Sequence, residues 1–249
     1  MKILLSPAKT LDFQTKVPTL RSSTPIFVTQ ANEINQVLQS KTPKKLMALM
    51  DISDKLAQMN WKRNQEWEQT TDLRQAVFAF KGEVYVGLDA YSISELHWDY
   101  MQNSVRILSG QYGVLKPFDL IKPYRLEMGS ELKIGKTKNL YQYWDTNITQ
   151  AIQSELDLDE WVVNLASQEY FKVIKPQLLQ NRIITPIFKD YKNGDYKVIS
   201  FFAKKARGLM TRFAIDHQIE KVDQLKTFSG DGYAFDDKLS SETEWVFTR

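Results

Sequence analysis

Apolar positions along the chain fall into short runs separated by polar stretches with helical spacing. The run Ile3-Leu4-Leu5, bounded by Lys2 and Ser6, predicts a short buried strand over Met1 to Leu5. Across 25–39, Ile26, Ala31, Ile34 and Leu38 recur near the helical period and predict a helix. Thr42-Pro43 reads as an N-cap followed by proline at the first helical position. It opens two short helices, 43–50 and 54–67, around Asp51-Ile52-Ser53. Ala76 to Phe80 reads as a strand, Ser94 to Gln102 as a helix, and Val105 to Ser109 as a buried strand. Tyr141 to Leu156 reads as a helix and Trp161 to Ala166 as another strongly apolar strand. Ile183 to Phe188 and Tyr196 to Ser200 flank Lys192-Asn193-Gly194-Asp195, where Asn-Gly signals a hairpin. Ala203 to Gln218 is a helix, and Glu244 to Arg249 closes the chain as a strand, so both ends are expected to be tied into the fold. Strands alternating with helices predict an α/β protein, and the hairpin predicts a mixed rather than a purely parallel sheet.

Composition narrows this picture. With 249 residues, 43% hydrophobic and 25% charged, the chain fits one compact domain spanning 1–249 with helices flanking the sheet. Glycine and proline are scattered, with no linker and no repeat. Cysteine is absent, which excludes disulfides, thiolate metal sites and cysteine nucleophiles. Only His97 and His217 are present, so no three-histidine metal centre can be built, and neither metal nor cofactor is expected. No stretch approaches the ~18 apolar residues that cross a bilayer. The apolar N-terminal stretch is too short for a signal-peptide core, so a cytoplasmic protein without a membrane partner is expected.

The net charge, 33 − 30 = +3, is an average over unequal segments. Residues 43–64 carry Lys44, Lys45, Lys55, Lys62 and Arg63 against Asp51 and Asp54. Residues 201–213 carry Lys204, Lys205, Arg207 and Arg212 with no acid. Compensating acids lie elsewhere, as in Glu155 to Glu160. In the 201–213 helix, Phe202, Ala206, Leu209 and Phe213 form an apolar stripe, with Lys204, Arg207, Gly208 and Thr211 opposite. An ordinary solvated helix mixes charge signs, so the cationic face reads as an anion site. Gly208 costs about 1 kcal/mol of helix propensity there, which implies close approach by something.

Four further segments carry candidate chemistry. Ser6-Pro7-Ala8-Lys9-Thr10 follows a strand, where α/β sheets place ligand groups, although the glycine-rich cradle of a P-loop is missing. In Leu108 to Leu115, Gly110 and Gly113 flank Gln111-Tyr112 beside Ser109; they suit either a tight turn or close approach of a ligand. The irregular stretch Lys116 to Gly129 contains Tyr124, Arg125 and Glu127. Arg125 suits a phosphate or carboxylate fork, or a structural ion pair with Glu127. Ser6, Lys9, Thr10, Ser109, Tyr112, Tyr124, Arg125 and Glu127 are therefore candidate pocket residues. Within them and the cationic helix, Lys9, Ser109, Glu127 and Lys204 are candidate catalytic groups: Glu127 as acid or base, Lys9 or Lys204 as electrophilic clamp or nucleophile. Finally, Leu49 to Ala57 resembles a helix-hairpin-helix turn, whose amides hold a backbone phosphate without reading sequence. Asp51 and Ser53 stand where that motif has glycines, and the alternative is a plain antiparallel helix pair.

Taken in order, Ser6–Thr10, Ile52–Ala57, Ala79-Phe80-Lys81-Gly82, Leu108–Gly113, Pro123–Gly129, Asn139–Trp144, Asn164–Ser167 and Ala203–Gly208 resemble the YaaA family of peroxide stress proteins over essentially the whole chain. The resemblance implies an α/β fold of its own type with a helix-hairpin-helix-like insertion at about 43–64. It also implies largely sequence-independent binding of double-stranded DNA and a role in limiting iron-linked oxidative damage. It settles no catalytic activity. Two expectations follow. One is a DNA binder whose phosphate contacts come from Lys44, Lys45, Ser53, Lys55, Lys62, Arg63, Lys204, Lys205, Arg207 and Arg212, with Tyr112, Tyr124 and Trp61 able to stack on unpaired bases. The other is an enzyme acting on a nucleobase, nucleotide or modified nucleic acid through the polar pocket.

Overall fold

Ile3, Leu4 and Leu5 are wholly removed from solvent, as a central strand covered on both faces requires. In the computed structural model, which describes residues 1–180 and 182–249, the first half of the chain runs from β1 (Lys2–Leu5) to α1 (Val28–Gln39), α2 (Pro43–Met50), α3 (Asp54–Gln65), α4 (Ala76–Ala79), α5 (Glu83–Leu88) and α6 (Trp98–Ser104). It continues through β2 (Val105–Ser109), β3 (Gly113–Leu115), α7 (Leu140–Trp144), α8 (Asn147–Gln153), β4 (Trp161–Asn164) and α9 (Gln168–Phe171). The last part comprises β5 (Arg182–Lys192), β6 (Asp195–Lys197), α10 (Ser200–Asp216), β7 (Ala234–Phe235) and β8 (Glu244–Thr248).

These strands form one eight-stranded sheet in the order β7-β8-β5-β4-β1-β2-β3, with β6 paired to β5. β2, β1, β4, β5 and β8 run parallel, whereas β3, β6 and β7 are antiparallel to their partners, so the sheet is mixed as the sequence predicts. Register sets Ile3 opposite Val105 and Val163, and Leu4 opposite Arg106 and Asn164. The order has a consequence for function. From β1 the chain crosses to β2 on one side, then returns to β4 on the other. The reversal leaves a crevice beyond the carboxyl ends of β1 and β4, where open α/β sheets bind ligands.

Helix boundaries follow local chemistry. The Thr42 hydroxyl accepts the Lys45 N–H, Pro43 occupies the first helical position, and Asp51 ends α2 in the left-handed region at φ 48°. Ser53 then starts α3 without a side-chain cap bond. The Asn35 amide donates to the Asn64 carbonyl (3.1 Å) and the Trp67 indole to Asn32 (2.8 Å), which lock α3 to α1. Trp144, fully buried, donates its N–H to the Gly110 carbonyl (3.0 Å) and packs on Phe27.

Three expectations change. Ala76–Ala79 is one buried helical turn between two short ladders, Arg74–Gln75 with Leu120–Ile121 and Phe80–Lys81 with Thr10–Leu11, rather than a strand. An apolar run buried all round shows no period that separates strand from helix. The predicted helix 141–156 breaks at Asp145, whose φ 40° and ψ −108° lie outside the helical region. Ile26, placed on the buried stripe of the first helix, lies before Val28 and is exposed.

Candidate functional site

At the reversal point the Ser6 hydroxyl accepts the Ser167 N–H (2.8 Å), joining the segment after β1 to that after β4. The Tyr85 hydroxyl of α5 donates to the Ser6 carbonyl (3.0 Å). Thr10–Leu11 pairs with Phe80–Lys81, which brings Lys81 and Gly82 alongside. The first turns of α10 close the far side. The result is an open cleft of about 710 Å³ walled by Ser6–Thr10, Lys81–Tyr85, Ser167–Tyr170, Val198, Ser200, Ala203, Lys204 and Arg207. Its acids are Glu83 and Glu169. The Glu169 carboxylate is held at the rim by the Gly129 N–H (2.9 Å), and its carbonyl accepts the Tyr141 hydroxyl (2.9 Å).

Lys9 and Glu127 meet at this rim. The ammonium lies 3.2 Å from Glu127 Oε1, and Arg125 Nη2 reaches the same oxygen at 3.1 Å. Arg125 thus takes the intramolecular option that its neighbour offered, and its buried Nε has no acceptor. Across the cleft Lys204 is exposed and Arg207 is half-buried. Desolvation alone lowers the Arg207 pKa; no carboxylate offsets it.

The other expected pocket residues lie behind the cleft. Ser109 is buried, shares a 2.7 Å hydrogen bond with the Tyr124 hydroxyl and accepts the Tyr112 N–H (3.0 Å). The Tyr112 hydroxyl accepts the Lys122 N–H (3.0 Å). Burial pushes both phenols up, and neither ring is open to stack on a base. The two-glycine segment is a tight turn: Gly113 has φ 70°, and a Cβ on Gly110 would sit 2.5 Å from the Leu126 carbonyl oxygen.

The cationic face of α10 is likewise divided. Lys205 pairs with Asp231 (3.4 Å). Arg212 binds Asp216 (2.7 Å), the Ser92 hydroxyl (2.7 Å) and the Asp89 carbonyl (3.2 Å). Both are held by the fold, which leaves Lys204 and Arg207 facing the cleft. Gly208 does mark a close approach, but the approaching group is α5: a Cβ there would lie 1.8 Å from the Val84 carbonyl oxygen. Thr211, read as part of the polar face, is fully buried and donates to the Arg207 carbonyl (2.9 Å).

Residues 43–64 do not line this cleft. Lys44, Lys45, Ser53, Lys55 and Lys62 are exposed, and Trp61 is partly so; Lys62 lies 3.7 Å from Glu66. Arg63 donates to Asn60 (3.3 Å), and burial lowers its pKa. A second depression of about 320 Å³, lined by Phe13, Gln14, Met59 and Pro123 with the cations Lys62 and Arg63 and the acids Glu66 and Asp72, adjoins α3. Thr10–Gln14 and Pro123–Glu127 both lead from it toward the Lys9–Glu127 rim. The two basic segments therefore border separate hollows rather than wall one cleft. Lys81, Ser167, Glu169 and the tyrosines Tyr85 and Tyr170 escape residue-level reading; only the resemblance flags Lys81 and Ser167.

His97 contacts Gln218 (3.3 Å) and His217 the Phe213 carbonyl (2.9 Å). Among the described residues, no three His, Asp or Glu side chains gather as a metal-binding group, and no helix is long and apolar enough to cross a membrane.

Fold and site define an α/β protein with a basic-lipped cleft at the reversal point of a mixed sheet. The family model described as peroxide stress protein YaaA matches residues 1–239, and the chain belongs to that family. It is 52% identical over 252 residues to a UPF0246 protein of Flavobacterium psychrophilum and 50% over 252 to one of Flavobacterium johnsoniae, with both chains covered in full in each case. It is also 50% identical over 254 residues to a UPF0246 protein of Aliivibrio fischeri, covering all of this chain and 98% of the relative. The family's description supports a role in peroxide stress.

Proposed function

We propose that this protein is a cytoplasmic DNA-binding protein of the peroxide stress response, which holds double-stranded DNA by its phosphates and so limits iron-linked oxidative damage to it. This reading is carried by Lys204, Arg207 and Lys9 at one cleft and Lys62 and Arg63 at the depression linked to it by Thr10–Gln14, which together would form a basic strip interrupted by Glu66, Asp72, Glu83, Glu127 and Glu169. Lys44, Lys45 and Lys55 of the helix pair are exposed and add further phosphate-binding candidates. Contacts of this kind position a duplex without reading its sequence. Each neutralised phosphate adds about −0.9 to the slope of log K against log salt. Titration of the full chain into labelled duplexes of unrelated sequence, at several salt concentrations, tests it. Similar affinities that fall steeply with salt are expected, weakened by Lys62→Ala with Arg63→Ala. No binding at low salt, or binding indifferent to salt, overturns the reading.

A second reading, an enzyme acting on a nucleobase, nucleotide or modified nucleic acid, is favoured by the convergence of Lys9, Arg125 and Glu127 on one rim. Fixed at the cleft rim, the Glu127 carboxylate would serve as a proton acceptor once a ligand draws one of its cations away. It predicts altered product from duplex bearing oxidised bases, lost in Glu127→Gln; an unchanged substrate rejects it.

A further inference from the structure

Arg207 is the one arginine among the described residues with no acid, hydrogen-bond acceptor or aromatic ring against its side chain. Its eight counterparts are all engaged. Arg21, Arg106, Arg125, Arg212 and Arg249 meet carboxylates. Arg63 and Arg74 donate to uncharged oxygens, and Arg182 lies over Trp161. A guanidinium withdrawn from water without a counter-ion is costly, and an anion that enters the cleft removes the cost. Lys204, three residues earlier in α10 and lining the same cleft, adds a second charge. The neighbouring wall is of a different kind: Pro7, Ala8, Val84, Tyr170, Val198 and Ala203 give an apolar surface beside the cationic end. The volume, about 710 Å³, lies within the ~300–1,000 Å³ of small-molecule sites. A double helix keeps its bases stacked inside and cannot fill such a space, whereas one unstacked nucleotide can.

We infer that the cleft is a binding site for a single nucleotide unit, its phosphate on Arg207 and Lys204 and its base and sugar against the apolar wall. This deepens the nucleic-acid reading and rests on it for the class of ligand. The unit has two sources, a free nucleoside monophosphate or a nucleotide extruded from a DNA strand, and the experiment separates them.

Calorimetry on the full chain would use the four deoxynucleoside monophosphates, inorganic phosphate and deoxyadenosine. Duplexes with and without one unpaired nucleotide form a second arm. Binding of monophosphates more tightly than either phosphate or deoxyadenosine is expected. Arg207→Gln and Arg207→Ala should each weaken it about tenfold or more with circular dichroism unchanged. Lys62→Ala with Arg63→Ala should leave it intact. Preference for the unpaired duplex, lost in Arg207→Gln, identifies the extruded source; equal duplex affinities identify the free one. Monophosphates that bind no better than inorganic phosphate, or binding unaffected by both Arg207 variants, overturn the inference. Duplex binding that persists in that event leaves the DNA reading standing, and mononucleotide binding without duplex binding removes that reading alone.

Discussion

At the residue scale the site turns on which charges the fold has already used. One oxygen of Glu127 serves both Lys9 and Arg125, and both Glu127 and Arg125 are largely covered. The Lys9 arm is exposed and adds little stability. The Arg125 arm is the costly one to break, because the guanidinium stays covered while its acceptor is lost. Glu127→Gln should therefore lower unfolding stability by about 1–3 kcal/mol, read as a shift of the urea midpoint with unchanged m-value. An unaltered midpoint would mean that Arg125 finds another acceptor. The same accounting explains what the sequence could reveal. Lys204, Arg207, Lys205 and Arg212 look alike in a list of cations. The tertiary partners Asp231 and Ser92, both distant in sequence, and the local i,i+4 partner Asp216 distinguish the engaged pair from the available one. Ser109, Tyr112 and Tyr124 were legible as a group, since they do form one hydrogen-bonded cluster, but not as buried.

At the scale of elements, the crossing of α5 and α10 sets the cleft's far wall. Gly87 and Gly208 allow the two backbones to touch: a Cβ on Gly87 would lie 2.2 Å from the Lys205 carbonyl oxygen. Gly208→Ala must push the helices apart and should cost about 3 kcal/mol or more. Thermal denaturation checks this, and a variant as stable as the parent would contradict so tight a crossing. Elements with their own punctuation were legible. Thr42-Pro43 starts α2, and Asn193-Gly194, at φ 55° and 83°, turns the β5–β6 hairpin. Ala76–Ala79 was not, because burial on all sides erases periodicity, nor was the break at Asp145, which depends on a backbone state rather than on a pattern.

Across the whole molecule, buried phenols gather behind and around the cleft. Burial raises the pKa of Tyr85, Tyr112, Tyr124 and Tyr170 there, and at the opposite end of β1, beside Met1 and Glu160, the partly buried Tyr100 is pushed up to about 12. For a group raised on folding, the contribution to stability is complete below its unfolded pKa near 10 and is lost as pH climbs through the folded values. Absorbance titration should show these tyrosines resisting ionisation until alkaline unfolding; smooth titration of all of them near pH 10 would contradict their burial. The near-neutral net charge conceals the basic strip, and the sequence displayed its two ends. It could not display their connection through Thr10–Gln14 and Pro123–Glu127, which depends on the order of the strands. The central claim is that this strip holds DNA phosphates, and the salt dependence of duplex affinity tests it most directly. The parent should give a steep negative slope of log K against log salt. Lys204→Ala, Arg207→Ala, Lys62→Ala and Arg63→Ala combined should flatten it by several times the ~0.9 expected per phosphate contact. A parent slope near zero, or a combined variant with the parent's slope and affinity, would contradict it.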